Sequence, residues 1–105
     1  MNIVNCTPHV INYYEDGARE PVVYPYTGLV PRVSVVKEQV YPTPKVWRCG
    51  TGAVAGLPEH ETDTLYIVSR MVADTARRHD LIIPVDFIRD SGGQIKGCRA
   101  FEVRV

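Results

Sequence analysis

The chain has 105 residues, of which 45% are hydrophobic and 23% are charged, as is usual for one small globular domain. Twelve basic and twelve acidic residues cancel, which argues against general electrostatic binding to nucleic acid or to a membrane surface. We therefore expect a single domain over residues 1–105 with no nucleic-acid or membrane partner.

The chain begins with short predicted strands separated by turns. Apolar residues at 3–4 and 10–14 predict two extended segments. Pro8 lies between them and predicts a bend, because proline has no N–H to donate to a sheet. The dipeptide at residues 16–17, Asp-Gly, predicts a hairpin that leads to a strand at residues 22–24.

The middle of the chain is rich in valine. Residues 30–40 predict a longer strand by their β-branched content. Pro42 and Pro44 are expected to end it, since two prolines in three residues cannot continue a hydrogen-bonded ladder. A short strand is expected at residues 46–49, followed by a glycine-rich loop at residues 50–58.

The one predicted helix follows a buried strand. Residues 65–68 form a continuous apolar run, which is typical of a central strand covered on both faces. Ser69 stands where a helix N-cap belongs, and residues 70–79 are expected to form the helix. Its expected core stripe consists of four residues at helical spacing: Met71, Val72, Thr75 and Ala76.

The chain closes with strand signals. A short strand is predicted at residues 81–84, and a hairpin is predicted from residues 87–89, a turn at 90–93 and a strand at 95–105. Together these elements predict an α+β domain with a mixed or mainly antiparallel sheet, several hairpins and one main helix.

The cysteines and histidines argue against structural staples. The three cysteines are widely spaced and form no CxxC pair, so we expect reduced thiols and a cytoplasmic setting. The N-terminal residues are too polar for a signal peptide, and no apolar run approaches the length of a membrane span. The three histidines are spaced too far apart to predict a metal, and we expect no cofactor.

Arginine dominates the basic residues, with nine arginines against three lysines. The planar guanidinium suits phosphate and carboxylate groups, although a GC-rich genome would produce the same bias. Arg99 is the most informative arginine, because strand alternation places it on the face of Ile95 and the apolar residues after it. A bulge at Gly97 would instead turn Arg99 into solvent. Without the bulge, Arg99 either pairs with a carboxylate such as Asp86 or Asp90, or lines a pocket for an anion.

Ser69 and Arg70 lie where a predicted strand meets a predicted helix. Free backbone N–H groups at such a junction attract anions, and ligands often collect there in open α/β sheets. The alternative is that Ser69 serves only as a helix cap. No Gly-rich phosphate loop precedes the helix, which argues against a nucleotide-hydrolysing enzyme.

Four motifs run along the chain: Ile-Val-Asn-Cys-Thr-Pro-His at residues 3–9, Arg-Val-Ser at 32–34, Gly-Leu-Pro-Glu at 56–59, and a pattern from Tyr-Ile-Val-Ser to Gly-Cys-Arg-Ala-Phe over 66–101. In this combination the chain resembles a group of small proteins encoded mainly by bacteriophages and prophages. The resemblance spans nearly the whole chain and implies a phage protein that acts in the cytoplasm of its host.

Small phage proteins of this size include sponges that sequester nucleotide immune signals, such as the ADP-ribose derivatives made in Thoeris defence. Such proteins are typically oligomers with an arginine-lined pocket. By analogy of size and origin, we expect a non-enzymatic homo-oligomer that binds an anionic, nucleotide-derived small molecule and so blocks host defence.

The residues expected to contact this ligand are polar or charged and come from several segments: Thr7, His9, Arg32, Ser69, Arg70, Arg89, Asp90 and Arg99. Two alternatives belong to other classes. One is a protein–protein module that binds a host or virion protein through residues 24–44. The other is a small hydrolase with His9 as its base, although the GxSxG elbow of serine hydrolases is absent and no catalytic residue is assigned.

Overall fold

The structure is a computed structural model that describes all 105 residues and consists mostly of β-strands, with one short helix. The only helix is α1 (Arg70–Ala76). Its seven residues are too few to span a bilayer. The eight strands are β1 (Asn2–Asn5), β2 (Ile11–Tyr13), β3 (Val22–Tyr24), β4 (Arg32–Pro42), β5 (Lys45–Ala55), β6 (Thr64–Ile67), β7 (Leu81–Arg89) and β8 (Ile95–Val103).

Six strands form one mixed sheet in the order β1-β6-β7-β8-β2-β3. The pairs β1–β6, β6–β7 and β2–β8 are parallel, whereas β7–β8 and β2–β3 are antiparallel. Both antiparallel pairs are hairpins, which confirms the turns predicted at Asp16-Gly17 and at residues 90–93. Strands β4 and β5 stand apart as a second, two-stranded sheet.

The core lies between α1 and the centre of the six-stranded sheet. Strand β6 has a neighbour on each side, and Tyr66, Ile67 and Val68 are almost completely buried, as expected for a central strand. Val72 and Ala73 of the helix are buried in the same apolar cluster. This burial, rather than intrinsic propensity, holds a helix of only seven residues in place.

The helix is shorter than the predicted 70–79. It begins after Ser69, whose hydroxyl accepts a hydrogen bond from the Val72 N–H at 3.3 Å, so the predicted N-cap is confirmed. It ends at Ala76 because Arg77 adopts a left-handed conformation, with φ of 52°, and closes the last turn. The predicted core stripe is wrong at Met71, which is half exposed.

Strands β4 and β5 form an extended hairpin, which we call the arm (residues 32–55). The sequence predicts only residues 46–49 as its second strand, followed by a loop from residue 50. The structure instead continues β5 to Ala55, because the long first strand offers a pairing partner along its whole length. Pro42 is the last residue of β4 and is paired with Lys45, while Pro44 lies in the two-residue turn that follows, where the ladder ends.

A buried carboxylate anchors the loop between the arm and β6. Asp80 is 5% exposed and forms a two-point ion pair with the guanidinium of Arg78, whose Nε lies 2.9 Å from Asp80 Oδ1. Arg78 Nη1 also donates to the Pro58 carbonyl at 2.8 Å, and His60 Nδ1 lies 3.2 Å from Asp80 Oδ2. The hydrogen bonds from Arg78 hold the pKa of Asp80 below its ordinary value.

We predict that Asp80→Asn lowers the free energy of unfolding at pH 7 by about 2 kcal/mol or more, because Arg78 loses its partner in a largely buried setting. The folded-state pKa of Asp80 is depressed, so its contribution is present above about pH 4, the ordinary carboxyl pKa, and is lost as pH falls below it. Urea unfolding at several pH values should therefore show the two proteins converging in acid.

Asp74→Asn is the matched control, since Asp74 forms an exposed ion pair with Arg104 at 2.8 Å. It should reduce stability less than Asp80→Asn at pH 7, because exposed pairs are screened by solvent. Equal losses for the two variants would contradict the role assigned to Asp80.

Strand β2 approaches β8 closely at Gly97. A Cβ at this position would lie 2.6 Å from the Asn12 carbonyl oxygen and 2.7 Å from the ring of Tyr14. The two strands pair at a single register position, Tyr13 with Cys98, so their contact depends on this absence of a side chain.

We predict that Gly97→Ala destabilises the fold by about 1–3 kcal/mol, because a backbone oxygen and a buried ring have to move. Thermal unfolding followed by circular dichroism measures the effect. Gly50→Ala in the arm is the control, since no atom lies within 4 Å of the added Cβ and the melting temperature should change little. A Gly97→Ala protein as stable as the Gly50→Ala protein would refute the close approach.

Candidate functional site

The parallel pairing of β1 and β6 brings two predicted site segments together. Asn5, the last residue of β1, is in register with Ile67, the last residue of β6. The chain leaves both strands at the same edge of the sheet, so the bend at residues 7–9 and the helix start at residues 69–70 become neighbours. Sequence reasoning singled out both segments without linking them.

These segments border a cavity of about 600 Å³, which we call the cleft. Thr7, His9, Ser69 and Arg70 all line it, so the structure brings together four of the eight predicted residues. The remaining lining residues are apolar: Pro8, Val10, Ile11, Val68, Pro84, Phe87 and Ile95. The cleft therefore combines polar groups at one side with a largely apolar wall.

The cleft exists because β6 leaves the sheet before β7 does. The last backbone contact between them is the hydrogen bond from the Val68 N–H to the Ile82 carbonyl at 2.9 Å. Pro84 lies two residues after Ile82, on the edge of β7 that β6 no longer covers. Because proline has no N–H, no backbone donor is left unpaired there. Asp86, with φ of 52°, follows in the same strand, and both Pro84 and Phe87 line the cleft.

The side chain of Asn5 fixes the bend that forms one rim of the cleft. It is 1% exposed and uses all four hydrogen-bonding positions of its amide. Nδ2 donates to the carbonyls of His9, at 2.7 Å, and Tyr24, at 3.0 Å. Oδ1 accepts from the backbone N–H and the hydroxyl of Thr7, at 3.0 and 2.7 Å. One buried amide thus joins the end of β1, the bend and the end of β3.

The polar groups around the cleft divide into those used by the fold and those available to a ligand. Thr7 is buried and its hydroxyl is bonded to Asn5, while the Ser69 hydroxyl caps the helix. The side chains of His9 and Arg70 are exposed, and neither forms a hydrogen bond or an ion pair within the protein. His9 and Arg70 are therefore the groups best placed to contact a bound molecule.

Arg32 lies close to the cleft but outside it. It lines an adjoining hollow of about 280 Å³ that shares Pro8 and Ser69 with the cleft. Arg32 begins β4 and is exposed, so its flexible side chain stands beside the same rim. The structure thus gathers five of the eight predicted residues around Pro8 and Ser69.

The other three predicted residues lie outside the cleft. Arg89 Nη1 donates to the Gly93 carbonyl at 2.9 Å, and the Asp90 carboxylate accepts from the N–H groups of Gly92 and Gln94 at 2.9 and 3.1 Å. Both side chains close the β7–β8 turn. In this structure, the side chains of Arg89 and Asp90 stabilise the β7–β8 hairpin.

Arg99 is exposed, forms no ion pair and lines none of the cavities described above. The β7–β8 register shifts between Ile88 and Arg89, which are paired with Gly97 and Ile95 and leave Lys96 as the extra residue of a bulge. Arg99 is therefore exposed to solvent, as expected for the alternative with a bulge. It does not pair with Asp86 or Asp90.

The sequence did not predict the apolar wall of the cleft. Phe87 and Ile95 belong to the predicted closing hairpin and look like ordinary strand residues, yet both are about half exposed because they face the cleft. Only Pro84, a proline within a strand signal, marks the place where a sheet edge is open. No local pattern shows that β6 departs at this level.

The geometry gives no support to thiol or metal chemistry at this site. Cys6 and Cys98 are free and buried, and burial raises the pKa of both thiols, which keeps them protonated and poorly nucleophilic. No group of three or more histidine, cysteine or acidic side chains is placed to hold a metal ion.

Models of protein families, curated proteins and solved structures give no match to this chain.

We predict that Asn5→Ala lowers the free energy of unfolding by about 2–4 kcal/mol. The four hydrogen bonds of the Asn5 amide are lost, and the groups of the bend that they joined are left without partners. Chemical denaturation measures the loss. Asn12→Ala is the matched control, because Asn12 donates a single long bond of 3.4 Å to Lys96 and should cost far less. If the two substitutions have equal effects, the Asn5 amide does not anchor the bend.

Proposed function

We propose that this protein binds an anionic, nucleotide-derived small molecule in the cleft and withholds it from the effectors of a host defence system. The protein would act as a phage-encoded sponge in the host cytoplasm, without catalysing a reaction. The observation that supports this most is the shared cavity of Thr7, His9, Ser69 and Arg70, which come from segments about sixty residues apart in the sequence.

The size and lining of the cleft suit a molecule with both apolar and charged parts. A cavity of about 600 Å³ lies within the range typical of small-molecule sites. The ring of Phe87, with Pro84 and Ile95, offers an apolar wall against which a nucleobase would pack. Arg70 and His9 stand at the polar side, where a guanidinium forms strong, two-point hydrogen bonds with phosphate oxygens.

Availability of the charged groups supports the same ligand class. Arg78 and Arg104 are engaged in ion pairs with the fold's own carboxylates, whereas Arg70 and Arg32 form none. A free arginine beside an apolar cavity gains more from an anion than one that must first break an internal pair. The pyrophosphate of an ADP-ribose derivative would supply such an anion.

We predict that the purified protein depletes at least one member of a panel of cyclic and linear ADP-ribose derivatives, and that Arg70→Ala weakens this binding roughly tenfold or more, the worth of one charge-assisted hydrogen bond. Depletion is measured by chromatography of the free fraction. Heating the complex and analysing the released molecule shows whether it is intact.

Arg99→Ala is the matched control, because Arg99 is also exposed and forms no ion pair but lies outside the cleft. It should bind as the unchanged protein does. Loss of binding in Arg99→Ala alone would move the site to the β7–β8 hairpin. Release of an altered molecule would indicate a hydrolase, and absence of depletion across the panel would contradict the proposal.

A further inference from the structure

The chain exposes more surface than a compact monomer of its size. Its accessible surface is 7300 Å², whereas a folded monomer of 11.8 kDa is expected to expose about 5,900 Å². Its radius of gyration is 16.6 Å, against about 13 Å for a compact domain of similar length. The excess of about 1,400 Å² has to come from a part of the chain that stands away from the core.

The arm accounts for this shape. It forms a separate two-stranded sheet, so the outer edges of β4 and β5 have no neighbouring strand. Every residue from Tyr41 to Thr51 is exposed, and only the base, at Val33 and Val54, packs against the core. Two-stranded ribbons with little packing are only marginally stable in water, and unpaired strand edges invite association.

Both faces of the arm carry exposed apolar side chains. Val35 and Val36 are adjacent in β4, so they point to opposite faces, and they are 55% and 58% exposed. Further apolar side chains are exposed toward the tip: Tyr41, Val46 and Trp47. Apolar side chains clustered on a projecting element are typical of an interaction surface.

We propose that the arm is a dimerisation element and that a second copy of this chain covers it. A stable interface needs about 800 Å² from each partner, which the excess surface of one chain supplies. The arm carries four basic side chains, Arg32, Lys37, Lys45 and Arg48, against one acidic side chain, Glu38, which lies 3.5 Å from Arg48. Its exposed apolar side chains, rather than charge complementarity, are therefore what would join two copies. The chain as a whole carries no net charge, so two copies meet without overall repulsion although each arm is basic.

Sedimentation equilibrium over a range of micromolar concentrations tests this inference. We expect a mass twice that of the 11.8 kDa chain. Trp47 is the only tryptophan and lies in the arm, so its emission should shift to longer wavelength as the protein is diluted and the dimer dissociates. A monomer at all concentrations would overturn the proposal.

The double substitution Val35→Lys with Val36→Lys places one charge on each face of the arm and keeps Trp47 as a reporter. We expect it to raise the dimer dissociation constant at least tenfold. The matched control is Val22→Lys with Val23→Lys in β3, two adjacent valines that are similarly exposed outside the arm. Equal dissociation constants for these two variants would overturn the assignment of the interface to the arm.

A third variant separates loss of the interface from loss of the arm itself. Val35→Thr with Val36→Thr keeps β-branched residues and their strand preference while reducing apolar surface. It should retain the circular dichroism of the unchanged protein and give an intermediate dissociation constant. An unchanged dissociation constant in this variant would show that the apolar surface of the arm is not what associates.

Discussion

The buried amide of Asn5 is the interaction on which the rest of the site depends. A peptide bend at the end of a strand leaves several backbone groups without sheet partners, and burial makes such groups costly. Asn5 supplies both the donors and the acceptors, so the bend at residues 7–9 and the end of β3 are fixed by one side chain. Thr27 adds a hydrogen bond to the Asn5 carbonyl at 2.7 Å, which ties down the following loop as well.

Local hydrogen bonds also decide which of the predicted site residues remain available in the cleft. The hydroxyl of Thr7 and the carboxylate of Asp90 are consumed by local hydrogen bonds, and no buried side-chain polar atom lacks a partner. The side chains that remain available are at the rim of the cleft, where Arg70 and His9 are exposed and form no internal hydrogen bond or ion pair. An interior whose buried polar groups are all paired, with an unengaged arginine at the rim of the cleft, would let a ligand bind without first breaking internal hydrogen bonds.

Sequence reasoning succeeded where the signal is local and failed where it depends on strand pairing. The central strand, the Ser69 cap and both hairpins follow from short-range propensity and turn chemistry. The end of α1 at Ala76 depends on Arg77 adopting a left-handed conformation, which favours glycine and is not visible in a helical pattern. The length of β5 and the exposure of Arg99 depend on register, which no spacing in the sequence reveals.

The cleft and the arm are neighbours through Arg70. Besides lining the cleft, Arg70 borders a hollow of about 520 Å³ between α1 and the arm, together with Thr51 of β5. A second copy that holds the arm in place would also restrict the space into which this guanidinium can turn away from the cleft. Ordering a long side chain before a ligand arrives removes part of the entropy cost of binding. Linkage would then act in reverse as well, because a ligand that orders Arg70 in the cleft would favour the same pairing of chains.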